Sequence, residues 1–309
     1  MAIALVIGCG GTIGGAWAVA ALHALAEQTG WDPREAEVLQ GTSAGAEIVT
    51  MLGGGAPIAD LVAMHRGTAT DGRLTRHVAD TPASLPPIPL PRLLNPRLLR
   101  SQRGLAAATG IAPSGRADAG WLQRLADGFP GSSGWPAHPG VRMVAFDFRR
   151  GERVVFGAPG APTATAGEAL RASWAIPAWM PPVRIGDREF VDGGAASTAS
   201  VDLVAADEAD LIYVIAPMAS EAGCRAPGFG GFLEHRLLRN PMSAGLGREV
   251  ADVCARGTQV VVIQPDVTDL EGLGAHFMRR NHRAAAFETA MRTSTATVRR
   301  ALALSETTS

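Results

Sequence analysis

A serine flanked by glycines, Gly41-Thr42-Ser43-Ala44-Gly45, follows an apolar approach through Val38 and Leu39 and precedes a helix-like run from Ala46 to Leu52. The pattern is G-x-S-x-G. A serine between strand and helix sits on a sharp turn that pushes its hydroxyl out at the carboxyl edge of a sheet. Gly41 and Gly45 suit that turn because a side chain at either place would strike neighbouring backbone or forbid the dihedrals. Such a serine can act as a nucleophile towards an ester carbonyl. It then needs a base for its proton and donors for the developing oxyanion.

The donors can come from the glycine run Gly8-Cys9-Gly10-Gly11-Thr12-Ile13-Gly14-Gly15, which directly follows the first apolar segment. Amides at Gly10, Gly11 and Thr12, next to a helix N-terminus, can converge on one spot and stabilise negative charge there. The rival reading is dinucleotide binding. It fails on spacing, because Ile13 sits where G-x-G-x-x-G wants its third glycine, and Asp32 falls in a Trp-Asp-Pro loop and not at a strand end.

Two kinds of base are open. The order Ser, Asp, His of a triad could be filled by Ser43, Asp192 and either His276 or His282, both in the polar, helix-compatible run Ala275–His282. Asp192 is better placed than either histidine. It ends a short β-stretch and is followed by Gly193 and Gly194, which let backbone come close to a neighbouring loop. A partly desolvated carboxylate there could take the serine proton itself. His23 lies within the first helix, where a structural role is the default.

The elements that must hold these groups read as α/β. Ile3 to Ile7 is a continuous apolar strand covered on both faces. The succession strand, glycine loop, helix, strand, serine turn, helix predicts a mainly parallel sheet with right-handed crossovers. From about His65 to Pro139 the pattern degrades. Pro82, Pro86, Pro87, Pro89, Pro91 and Pro96 interrupt regular structure, with a short helix expected near Trp121 to Ala126. A long irregular stretch of this kind is usually a cap or lid. Within it, residues 85–105 mix leucines (Leu90, Leu93, Leu94, Leu98, Leu99) with arginines (Arg92, Arg97, Arg100, Arg103). That composition fits either a peripheral membrane contact or a cap packed on its own domain. Hairpins are expected at Val141–Phe156 and Val183–Val191, buried strands at Leu211–Ile215 and Thr258–Ile263, helices near 247–255 and over 283–304.

The bulk composition bounds the partners. Hydrophobic residues make up 47 % of the 309, charged ones 18 %, and the net charge is −1. This is the profile of a folded protein without a basic footprint for nucleic acid. All 28 basic residues are arginine and are spread along the chain. Cys9, Cys224 and Cys254 are odd in number and far apart, which argues against a disulfide framework or a C-x-x-C metal site. The opening segment reads as a strand and not as a signal peptide, and no apolar run reaches membrane-spanning length, so a cytoplasmic protein is expected.

In combination and in order, three motifs resemble the patatin-like phospholipase family, lipid acyl hydrolases that use a Ser-Asp dyad. They are Gly10-Gly11-Thr12-Ile13-Gly14, Gly41-Thr42-Ser43-Ala44-Gly45 and Asp192-Gly193-Gly194, joined by Ala172-Ser173 to Pro177 and by Pro181-Pro182-Val183. The resemblance runs from residue 1 to about 215 and is weak over 66–140. It implies a single patatin-like domain over 1–309, three-layer α/β/α with a mainly parallel sheet, and with 66–140 as a cap or lid insertion. It further implies Ser43 as nucleophile, Asp192 as base, the Gly10, Gly11 and Thr12 amides as oxyanion hole, a lipid or small ester substrate, and no metal or organic cofactor. Two positions depart from the family. Ile13 stands where it usually carries Arg or Lys, which would remove a cation from the mouth of the site, and Cys9 replaces its first glycine. Ile13 is also the hint for a different reading, a non-catalytic lipid- or partner-binding protein of the same fold.

Overall fold

The structure, a computed structural model, describes residues 1–81, 85–102, 104–131 and 133–306. Strand β1 (Ile3–Ile7) leads into helix α1 (Gly11–Thr29), which ends on Gly30 in the left-handed conformation. Strand β2 (Val38–Thr42) leads through Ser43 into α2 (Ala44–Gly53). Helices α3 (Ile58–Arg66) and α4 (Gly72–Ala79) follow, then strand β3 (Leu90–Leu93), α5 (Leu98–Ser101), α6 (Gly104–Thr109), β4 (Pro113–Ser114) and α7 (Gly120–Gly128). The hairpin β5 (Val141–Asp147) and β6 (Glu152–Phe156) precedes α8 (Ala166–Ser173), and the hairpin β7 (Val183–Ile185) and β8 (Arg188–Asp192) comes next. Strand β9 (Leu211–Ile215) is followed by α9 (Gly228–Glu234), a π-helical turn (His235–Arg239) and α10 (Asn240–Ala255). Strand β10 (Gln259–Ile263), α11 (Val267–Leu273) and α12 (Arg283–Glu306) complete the described chain.

The main sheet runs β10-β9-β1-β2-β5-β8-β7, with β6 also paired to β5. Strands β10, β9, β1, β2 and β5 are mutually parallel, and β6, β7 and β8 form the antiparallel end. Alternation along β1 shows how the layers form. Leu5 and Ile7 enter the core shared with α1, α2 and α12, whereas Ala4 and Val6 enter a second core that includes Leu246 and Val253 of α10. Both faces of the parallel strands are therefore covered, which explains why β1 and β9 read as unbroken apolar runs. The mixed α/β architecture with a mainly parallel sheet agrees with expectation.

Regular elements are denser across 66–140 than its prolines suggest. Leu74 of α4 and Trp121, Leu122, Leu125 and Ala126 of α7 belong to the main core. The prolines fall outside those helices; Pro91 sits in the two-stranded β3–β4 ribbon, where a missing donor is tolerated at an edge. Leu94, Leu98 and Ala106 pack on Phe146, Phe148 and Val191, so part of the 85–105 stretch is anchored on the sheet. Pro82 and Arg103 lie outside the described residues. The run 275–282 forms only a short 3-10 turn, Arg280–His282, in place of a longer helix. No helix among the described residues is long and apolar enough to cross a membrane.

Candidate active site

Strand β5 brings the site together by its register. Its residues 141–144 pair with the end of β2, with Thr42 opposite Val144. Residues 145–147 pair with β8, with Asp192 opposite Ala145. The other edge of β5, from Met143 to Asp147, is occupied by β6. Strands β2 and β8 must therefore share one edge of β5, one parallel to it and one antiparallel, so that their carboxyl ends meet head-on between Val144 and Ala145. Ser43 follows one end and Asp192 is the other.

The turn at Ser43 is strained. Its φ of 56° lies in the left-handed region, uncommon for a residue with a side chain. The turn is tight enough that a Cβ on Gly45 would lie 2.0 Å from the Ile7 carbonyl oxygen. Ser173, at the end of α8, holds the strained residue: its hydroxyl accepts from the Ser43 N–H at 2.9 Å and donates to the Val144 carbonyl at 2.7 Å. Sequence reading noted Ser173 only as part of a motif, since both its partners are distant in the chain.

The glycines after Asp192 serve close approach. A Cβ on Gly193 would fall 2.6 Å from the Val144 carbonyl, and one on Gly194 2.9 Å from the Cys9 sulfur. The Gly194 N–H donates to Asp192 Oδ1 at 2.7 Å, and the Ser43 hydroxyl lies close enough to the same carboxylate to pull its pKa down. Asp192 is buried and no ion pair among the described residues involves it. Burial drives its pKa from 3.8 up to about 7, against the opposing pull of the Ser43 hydroxyl and the Gly194 amide.

The glycine loop lies over this pair. Gly10 precedes α1, and the Gly11 and Thr12 amides belong to its first turn, where N–H groups have no intrahelical partner. The neighbouring amides are committed elsewhere: Cys9 donates to the Thr198 carbonyl at 2.8 Å, Ile13 to the Phe277 carbonyl at 3.0 Å, and Gly14 to Gly10 at 2.9 Å. Cys9 itself is buried beside the site, and burial, followed by the Asp192 charge, pushes its thiol up to about 12, so it stays protonated. Ile13, in the first turn of α1, packs into the core and does not line the cavity.

Ser43, Asp192, Cys9, Gly10, Gly11 and Gly194 floor a cavity of about 340 Å³. Its walls are apolar: Leu105 and Ala108 of α6, Ile176, Pro177 and Trp179 after α8, Met218 after β9, Leu238 of the π-turn, Met242 of α10, and Phe277. Asp192 is the only charged side chain among the described lining residues. Thr12 is not part of that lining; it faces a smaller polar cavity behind the loop, with its hydroxyl 3.9 Å from the Met278 sulfur. Neither candidate triad histidine lines the cavity. His282 is bonded through Nε2 to the Gly272 carbonyl at 2.7 Å, and His276 Nδ1 accepts from the Met278 N–H at 3.2 Å while its ring meets the edge of Trp179. His23 lies within α1. The described residues contain no group of three or more His, Cys, Asp or Glu side chains arranged to hold a metal.

The chain is similar in structure to VipD from Legionella pneumophila, at 14 % identity and a TM-score of 0.42, covering 96 % of this chain and 67 % of that one. It is also similar to a chain of the heterodimeric ExoU-SpcU complex from the type III secretion system of Pseudomonas aeruginosa. There the identity is 17 % and the TM-score 0.36, covering 98 % of this chain, which spans about half (52 %) of the other's length. No curated protein sequence matches the chain. The family model described as Patatin-like phospholipase matches residues 5–205, well over half of the chain, from β1 through the serine turn to beyond Asp192-Gly193-Gly194. The chain belongs to the patatin-like phospholipase family.

Proposed function

We propose that the protein is a serine-dependent lipid acyl hydrolase that works through Ser43 and Asp192. The observation that carries this reading is the juxtaposition of Ser43 with the buried Asp192 carboxylate, which takes part in no ion pair among the described residues, on the floor of an apolar cavity. A carboxylate with a pKa near 7 is a far better match for the serine proton than one near 4, because base strength and availability are balanced near neutral pH. The cavity volume falls in the usual range of small-molecule sites, roughly 300–1,000 Å³, and its walls suit an acyl chain.

In the first step the Ser43 oxygen attacks the ester carbonyl carbon as Asp192 takes the hydroxyl proton. The carbonyl oxygen, now negative, is held by the Gly10 and Gly11 amides; each such donor is worth about 3 kcal/mol in the transition state. The intermediate collapses, the C–O bond to the alcohol breaks, and Asp192 returns its proton to the departing alkoxide. Water then gives a proton to Asp192 and attacks the acyl-serine, releasing the fatty acid and restoring the Ser43 hydroxyl. The commitments of His282 and His276 to backbone groups favour the dyad over a triad.

We read residues 1–309 as one hydrolase domain in which 66–140 contributes the cap, with α6 as one wall of the cavity. Exposed Leu85, Ile88, Leu90, Leu93 and Leu99 on that stretch suit peripheral membrane contact. A fluorophosphonate probe tests the reading directly. The protein should be labelled at Ser43 and the Ser43→Ala variant should not; an unlabelled wild-type protein would favour a non-catalytic binding role.

A further inference from the structure

The helical segment from Gly228 through the π-turn is amphipathic the wrong way round for a helix facing water. Its buried side holds a charged pair: Arg239 meets Glu234 at 2.9 Å and also donates to the Pro217 and Ala219 carbonyls at 2.8 and 3.0 Å. Its outer side carries Phe229, Phe232, Leu233 and Leu237 at helical spacing, with Phe229 79 % and Leu237 55 % exposed. The two phenylalanine rings lie 6.5 Å apart, and the Arg225 guanidinium sits 5.6 Å from the Phe232 ring. Polar anchoring inside and aromatic side chains outside make sense if the outer medium is apolar.

We propose that this stripe is a lipid-surface docking site that seats the mouth of the cavity on the substrate phase. The proposal rests on the acyl hydrolase reading above and adds the surface by which substrate is reached. Two observations select lipid over a second copy of the chain or another protein. The stripe is continuous with the cavity, because Leu238 and Met242, the residues next to it along the helix, line the wall above Ser43. A surface resting on Leu237 is therefore adjacent to the acyl channel. The charge also has one sign: between residues 225 and 237 the exposed charged side chains are Arg225 and Arg236, and the one carboxylate, Glu234, is buried against Arg239. Arginines flanking an apolar helix face are what anionic headgroups meet at an interface. The opposite wall has the same design, since Leu105 and Ala108 line the cavity from α6 while Leu99 and Ile111 on its flanks stay exposed.

The test compares the wild-type protein with Phe229→Ser/Leu233→Ser by co-sedimentation with phosphatidylcholine vesicles, with and without phosphatidylglycerol. In parallel, hydrolysis of nitrophenyl butyrate is followed in solution. The double variant should partition to vesicles at least about tenfold less, since each buried Phe or Leu contributes about that factor or more. Its soluble-ester rate should be unchanged, because neither residue lines the cavity. Arg225→Gln/Arg236→Gln should lose only the extra binding conferred by phosphatidylglycerol. If the double variant is misfolded by circular dichroism, Phe229→Ser alone carries the comparison. Equal vesicle binding by variant and wild type overturns the proposal. So does a wild-type dimer that ignores vesicles and dissociates in the double variant, which would assign the stripe to a second copy. Stripe-dependent vesicle binding with no ester hydrolysis and no labelling at Ser43 would refute the hydrolase reading and leave the docking site standing.

Discussion

Two buried aspartates stand at opposite ends of one short ladder, and they are treated in opposite ways. Strand β8 pairs with β5 through Asp192 opposite Ala145 at one end and Phe190 opposite Asp147 at the other. Asp147 is paired and hydrogen-bonded: it accepts from the Arg149 and Arg150 amides at 3.0 Å each and from Arg188 Nε at 2.7 Å. Asp192 receives the Gly194 amide and lies beside the Ser43 hydroxyl, and no ion pair among the described residues involves it. Asp147 is given a cation; Asp192 is desolvated and left beside a hydroxyl, the surroundings that suit the proton exchange proposed for it.

Substitution sharpens that contrast most. Ser43→Ala and Asp192→Asn should each lower kcat/KM for a nitrophenyl ester by about 10⁴-fold or more, the scale of losing a nucleophile or its base. His276→Ala and His282→Ala should leave it unchanged. Asp147→Asn should instead destabilise the fold by about 3 kcal/mol, read from denaturant midpoints, because Arg188 loses a buried partner and keeps only Glu152. The specific activity of its folded fraction should stay close to wild type. A dead but stable Asp147→Asn would erase the distinction between the two carboxylates.

The pH profile breaks or sharpens it next. Asp192 must be ionised to act as base, so kcat/KM should rise about tenfold per pH unit below 7 and level off above it. Stability should move the other way. The folded state holds this proton more tightly than the unfolded state, whose value is 3.8, so the Asp192 contribution is neutral below about pH 4. It becomes increasingly destabilising up to about pH 7 and stays constant beyond. Asp192→Asn removes that cost, and its melting temperature should exceed the wild type's at pH 8 but not at pH 3.5. A variant less stable than wild type at pH 8 would mean the carboxylate is held as firmly as Asp147.

The smallest expected effect concerns how the serine is held. Ser173→Ala leaves the Ser43 N–H and the Val144 carbonyl short of one partner each, in a buried place. That should cost about 2 kcal/mol of stability and about tenfold in kcat, with KM little changed, as the strained turn relaxes. An unchanged kcat would show that strand pairing alone keeps Ser43 aimed at Asp192.

Much of this is legible in the residues alone, because it is local. The glycine run after β1, the serine between β2 and α2, and Asp192 at the end of β8 are each set by turn chemistry within a few residues, and short-range sterics write that chemistry into residue type. The apolar runs of β1 and β9 reveal their double burial for the same reason. Less was legible where packing overrides local signals. The irregular, proline-rich stretch masks α4, whose Leu74 enters the main core, whereas α7 was legible from Trp121 to Ala126. The glycines at Gly228, Gly230 and Gly231 hide the turn that carries the phenylalanine stripe. Gly231 is needed there because a Cβ would lie 2.0 Å from the Ala226 carbonyl.

By itself, then, the sequence determined which groups could do chemistry and which short elements would carry them. Only the tertiary structure decided that they meet. The register of β5 sets the ends of β2 and β8 head to head, Ser173 ties that junction to α8, and the run around Phe277 folds back over the glycine loop. Ser43 and Ser173 are 130 residues apart along the chain, and β8 lies well beyond β5, so none of these contacts is local. Their energies depend on burial and register, which no local pattern of residues encodes.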